Sequence, residues 1–161
     1  MDKQRTYVAG QPFDLHFYDS DVRLLQTSTS NDSLQQGRKA HIHMMAIWED
    51  IYIHLYSLRA LRSSSTHRQH HIANLDRLCR NWYSRHSALL TTRCNTEKSA
   101  LECWHIELKY AFHIGQILVH RCSNEEGSQQ VALVNSRAAL QIIRDVFQSK
   151  HSQGSIWLLS K

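Results

Sequence analysis

The segment from residue 101 to residue 122 constrains the fold most, because it is long, helical in pattern and apolar on most of its circumference. One face carries apolar side chains at helical spacing: Leu101, Trp104, Leu108, Phe112 and Val119. A second face mixes apolar and imidazole side chains: Ile106, Tyr110, His113, Ile117 and His120. Four side chains are suited to water: Glu102, Glu107, Lys109 and Gln116. Because such a helix must be packed from several sides, the segment is predicted to be the central helix of an all-α domain.

The rest of the chain also favours helices. Its 161 residues fit one domain, and one proline with five glycines leaves long stretches uninterrupted. Apolar periodicity predicts a bundle of four main helices at 36–62, 66–91, 96–122 and 128–150. Thr66 with Gln69 resembles a capping box at the second helix start. Residues 1–35 lack helical periodicity, so we expect an extended N-terminal arm followed by a helical domain over 36–161.

Composition and spacing argue against several classes of function. The net charge of +5 comes from scattered Lys and Arg residues, so no nucleic-acid patch is expected. The four cysteines lack metal-ligand spacing, and the sequence contains no phosphate loop or nucleophile elbow. There is also no apolar run long enough to cross a bilayer. We therefore expect an intracellular protein, cytoplasmic or nuclear, without a metal site, a cofactor or membrane contact.

Four blocks of sequence, taken in order, resemble the second half of the fungal-specific transcription factor domain, the regulatory region that follows a zinc binuclear cluster. The first block is Val8–Phe13 with Asp19–Val22, which resembles the family's Gly-Arg-Pro segment although Gln11 occupies the usual Arg place. The others are the helix from Met44 to Leu61, the segment from Ile72 to Trp82, and the helix from Trp104 to Arg121 with the Ala-Ala helix at 135–139. The cysteine-rich zinc cluster and the preceding helices of the family are absent from this sequence.

The resemblance implies a helical regulatory module that recognises a small apolar molecule or a protein partner, and the missing zinc cluster implies no direct DNA contact. We expect this module to be a separate protein without a DNA-binding domain. The alternative is a cofactor-independent enzyme of fungal secondary metabolism, an isomerase, cyclase or dehydratase. Such an enzyme would use buried His and Tyr side chains as acid and base in an apolar helical pocket.

Histidines inside apolar helices supply the candidate site residues, because a neutral imidazole donates from one nitrogen and accepts at the other. The tentative catalytic residues are His105, Tyr110 and His113. The tentative ligand-binding residues are Trp48, His54 and Trp104, which places the predicted pocket between the first and central helices. His67 and His71 have i, i+4 spacing, which suits a shared metal, but no carboxylate or cysteine accompanies them. These two are therefore predicted to mark a solvated helix start.

A homodimer is predicted, since the family domain covers these helices with others that this chain lacks. The predicted interface is the second face of the central helix, around Ile106 and Ile117, together with the apolar tail at 156–159. Closure about a two-fold axis is the commonest way to bury such a surface. The alternative is that the arm of residues 1–35 folds over the same surface.

Overall fold

Helices account for all the regular structure in the described part of the chain. The computed structural model describes the backbone of residues 33–91 and 101–158, and the side chains of residues 35–91 and 105–148. The elements in order are α1 (Ser33–Ile51), a π-helical turn (Tyr52–Tyr56), α2 (Leu58–Leu61), α3 (Ser65–Arg85), α4 (Ser87–Thr91), α5 (Leu101–His120) and α6 (Glu126–Leu158). The predicted all-α class with four long helices is confirmed. The predicted arm lies almost wholly outside the described residues.

The first predicted helix ends earlier than expected, because Ser57 leaves the helical conformation with ψ at 156°. Its hydroxyl donates to the Ile53 carbonyl at 2.7 Å and accepts from the Ala60 amide at 3.1 Å. Serine in this role satisfies an amide that a new helix start leaves without a partner. The span predicted at 36–62 is therefore three pieces: α1, the π turn and the short α2.

The second helix begins at Ser65, and its capping residue is Ser64 rather than the predicted Thr66. The Ser64 hydroxyl accepts from the His67 amide at 3.3 Å. Gln69 does not reach back to the helix start; its amide donates to the Ser123 hydroxyl, 3.2 Å away, near the end of α5. The single helix predicted to residue 91 is also divided at His86 into α3 and α4.

The central position predicted for the segment 101–122 is confirmed, because α5 contacts α1, α3, α4 and α6. Leu108, Ala111 and Val119 are buried on it. Gln116, predicted to face water, is only 3% exposed. Several neighbouring helices surround α5, so few of its positions reach solvent.

The last helix is longer than predicted, since α6 runs through Gly154 to Leu158. A single glycine costs a helix only about 1 kcal/mol, and no proline is present to end it.

Ile106 and Ile117, predicted to form an exposed face, are half-buried on α5. The most extensive helix contact in the described structure is that between α5 and α6.

Candidate functional site

The three tentative catalytic residues lie on α5, and all three are half-buried. The His113 Nδ1 atom lies 2.8 Å from the Asn135 side-chain oxygen. Asn135 uses its amide nitrogen to donate to the Val131 carbonyl at 2.8 Å, so its oxygen is the atom that faces the imidazole. His113 therefore donates from Nδ1, and this bond joins α5 to α6. His105 and Tyr110 do not take part in it.

The three tentative ligand-binding residues lie in different surroundings. Trp48 is buried where α1 meets α5, close to Gly115: a side chain added there would place its Cβ 3.2 Å from the indole nitrogen. His54 belongs to the π turn, and its ring stacks on His71 of α3 with the ring centroids 4.4 Å apart. The side chain of Trp104 lies outside the described residues. The predicted grouping of these residues around one pocket stays a prediction.

A cavity of about 490 Å³ lies among the π turn, α2 and the start of α3. It is lined by three imidazoles, two guanidinium groups and one hydroxyl: His54, His67, His71, Arg59, Arg62 and Ser63. Ile53 and Ala60 also line it, and none of the lining residues within the described part of the chain carries a carboxylate. We call this space the histidine cavity. Of the five predicted site residues whose side chains the structure describes, His54 alone lines this cavity.

The imidazoles of the histidine cavity touch one another. The Nε2 atoms of His67 and His71 lie 2.9 Å apart, so one ring donates a proton that the other accepts. Burial, followed by the like charges of His54, His67 and His70, holds the pKa of His71 below its usual range. His67 is exposed as predicted, whereas His71 is half-buried. The spacing of these two histidines gave no indication that His54 lies beside them. In the described part of the chain, no three His, Cys, Asp or Glu side chains are arranged to hold a metal ion.

A second polar cluster lies at the end of α5, and it was not predicted from the sequence. His120 is buried, and its Nε2 atom lies 3.1 Å from a carboxylate oxygen of Asp76 on α3. The other oxygen of Asp76 lies 2.9 Å from the Arg80 Nε. The hydroxyl of Tyr56 donates to the Leu118 carbonyl at 2.6 Å and accepts from the Arg121 Nε at 2.7 Å. The adjacent His-Arg pair at 120–121 was the available sequence signal, and its partners come from α3 and the π turn.

The role of this second cluster is to stabilise the fold. Burial acts to raise the pKa of Asp76, but the hydrogen bonds from Arg80 and His120 outweigh it and hold this pKa below its usual range. Nearby, burial raises the pKa of Cys79 to about 12, so this thiol is protonated and unreactive at neutral pH. Cys79 and Cys122 are both free thiols.

Replacing Asp76 by asparagine should lower the free energy of unfolding by about 1 kcal/mol at pH 7, because the charge between Arg80 and His120 is lost. Since the folded-state pKa of Asp76 is depressed, its contribution is present above the usual carboxyl pKa of 3.8 and is lost as pH falls through the folded value. The difference in stability between wild type and D76N should therefore shrink as pH falls below 3.8. Urea unfolding between pH 3 and pH 7 measures this.

The control for this prediction is Asp145→Asn, which removes an exposed carboxylate that accepts from Gln141. D145N should change stability by less than about 0.5 kcal/mol at every pH. A D76N protein that stays less stable than wild type by the same amount at pH 3 and pH 7 would contradict the electrostatic explanation.

Comparison with known proteins adds one curated relative, the transcription factor oryO of Aspergillus oryzae (strain ATCC 42149 / RIB 40). The two sequences are 37% identical over 146 residues, which cover 91% of this chain and 18% of the relative. This chain is related to a fungal transcription factor. The similarity agrees with the resemblance of the sequence blocks, although it does not test their individual assignment. No protein-family model and no solved structure matches the chain.

The similarity to a transcription factor also affects the choice between the two predicted functions, a regulatory module and an enzyme. The similarity to a transcription factor does not favour the enzyme, and His113, one of the three tentative catalytic residues, forms a hydrogen bond with Asn135. Within the described residues, none of the helices combines the length and apolar character needed to span a bilayer.

Proposed function

We propose that this chain is a helical regulatory module of the transcription-factor type, which acts by binding protein partners, first of all a second copy of itself, without contacting DNA. An intracellular location, cytoplasmic or nuclear, is part of the proposal. The relation to a transcription factor over 91% of the chain supports the regulatory role. The observation that carries the binding role is an exposed apolar row on α6.

In its described part, α6 leaves five large apolar side chains exposed: Leu133, Val134, Leu140, Ile143 and Phe147. The apolar row is formed by Leu133, Leu140 and Phe147. The outermost are Leu140 and Phe147, which are 65% and 61% exposed. Leu133, Leu140 and Phe147 follow one another at intervals of seven, so they lie along one side of the helix. Helices that pair with other helices repeat apolar residues at this spacing. The row is therefore suited to receive a second helix.

A second copy of the chain is the partner that this geometry fits best. A two-fold axis beside α6 brings the same row from each protomer together, so each copy covers the other's exposed side chains. No additional partner is needed to bury them. This interface differs from the predicted one around Ile106 and Ile117, which are half-buried against the rest of the domain.

Replacing Leu140 and Phe147 together by glutamate should abolish self-association. Sedimentation equilibrium at micromolar concentration should give the wild type about twice the chain mass of 18.8 kDa, and the variant a single chain mass. Four carboxylates, two from each protomer, would be buried at the interface and would cost several kcal/mol, which corresponds to more than a 100-fold weaker dimer.

The matched control is Leu58→Glu with Leu61→Glu, because these α2 leucines are also well exposed and lie away from α6. This control should remain dimeric. A wild-type mass equal to one chain with no concentration dependence would refute self-association. An equal loss of dimer in both double variants would place the interface elsewhere.

A further inference from the structure

We infer that the histidine cavity is a binding site for a small molecule that carries a phosphate group. The inference is independent of the α6 interface, since none of the cavity-lining residues that the structure describes belongs to α6. Its basis is the concentration of cationic and proton-donating groups around one concave space. Arg59 comes from α2 and Arg62 directly follows it, His54 comes from the π turn, and His67 and His71 come from α3.

The size of the cavity suits a small molecule rather than a lone ion. Its volume of about 490 Å³ falls within the range of about 300–1,000 Å³ that is usual for small-molecule sites. Ile53 and Ala60 supply apolar lining beside the charged groups. A ligand with a compact anionic group and an uncharged body therefore matches both parts of the wall.

Charge decides the class of anion. Two guanidinium groups carry permanent positive charge, and a phosphate monoester carries about −1.5 to −2 near neutral pH. A single carboxylate would leave one guanidinium unneutralised. The planar guanidinium forks match phosphate oxygens, and the imidazoles add donors around the same space. Among the residues described by the structure, the cavity lining offers no carboxylate to compete for these groups.

The imidazole contacts make the site responsive to pH. His71 lines the cavity together with His54, His67, Arg59 and Arg62, and His70 lies beside it. Burial and the like charges of the three neighbouring imidazoles hold the pKa of His71 below its usual range. A bound phosphate would offset this positive charge, so the pKa of His71 should be higher in the complex than in the free protein.

The test is a titration of the full chain with inorganic phosphate and with pyrophosphate in low salt. Binding is monitored through the imidazole resonances of His54 and His71. We expect saturable shifts, stronger for pyrophosphate, and a higher pKa of His71 in the complex than in the free protein. The R59A/R62A double variant should bind at least 10-fold more weakly. Equal binding by wild type and R59A/R62A would overturn the proposal.

The matched control is R77A/R144A, which removes the same charge from two exposed arginines outside the cavity. It should bind like the wild type. An equal loss in both double variants would mean non-specific attraction to net charge and overturn the site. Thermal melting of each variant checks folding, and vesicles of phosphatidylcholine with phosphatidic acid should not retain the protein. Retention that depends on Arg59 and Arg62 would instead assign the cavity to a lipid headgroup and overturn a free small molecule.

Discussion

Replacing Trp82 by alanine should lower the free energy of unfolding by about 3–5 kcal/mol. The side chain is buried, and its indole nitrogen donates to the Ala40 carbonyl at 2.9 Å, which joins α3 to α1. Its ring also stacks on Phe112 of α5, with the centroids 6.4 Å apart. The variant loses this contact area and leaves a large cavity where three helices meet. Urea unfolding followed by circular dichroism measures the loss.

The neighbouring Tyr83 is the control, because it also contacts Phe112 but is 38% exposed. Tyr83→Ala should cost about 1 kcal/mol, since solvent already reaches much of the ring. Equal losses for the two variants would show that Trp82 is not the residue that joins α1 to α3.

Replacing Gly115 by valine should lower the free energy of unfolding by about 2–3 kcal/mol through overpacking. A Cβ at this position would lie 3.2 Å from Trp48 Nε1 and 3.7 Å from Cys79 Sγ. The two additional methyl groups of valine have no space beside these buried side chains. The absence of a side chain at Gly115 is what lets α5 approach Trp48, and thermal unfolding should show the cost.

Gly127 provides the matched control at the start of α6, because a Cβ there meets nothing within 4 Å. Gly127→Val should change stability by less than about 0.5 kcal/mol. If G115V and G127V were equally stable, then the contact of α5 with Trp48 would not depend on glycine.

The helical class and the central place of α5 could both be predicted from local pattern. Apolar spacing and the scarcity of proline are properties of the chain itself, and they hold wherever the helix packs. Leu108 and Val119 were predicted to be apolar contacts and are buried. Helix ends were less predictable, because competing serines decide them: Ser57 and Ser64 cap new helices, whereas Thr66 does not.

The candidate site could be predicted only in part. His54 was singled out as a histidine among apolar neighbours, but its place in a cavity depends on the π turn that directs it toward His71. The role of Asp76 was missed because its partner His120 lies 44 positions away in the sequence. A pattern within one helix carries no information about such a partner.

Sequence patterns alone were enough to predict that the chain forms long helices and which helix is central, and to indicate that the chain is related to a fungal transcription factor. Which helix faces remain exposed to solvent depends on how the helices pack, and local patterns do not show this. Ile106 and Leu140 are comparable apolar residues on helices, yet Ile106 is half-buried and Leu140 is largely exposed. Apolar character determines that a side chain gains by leaving water, but the neighbouring helices determine whether it does.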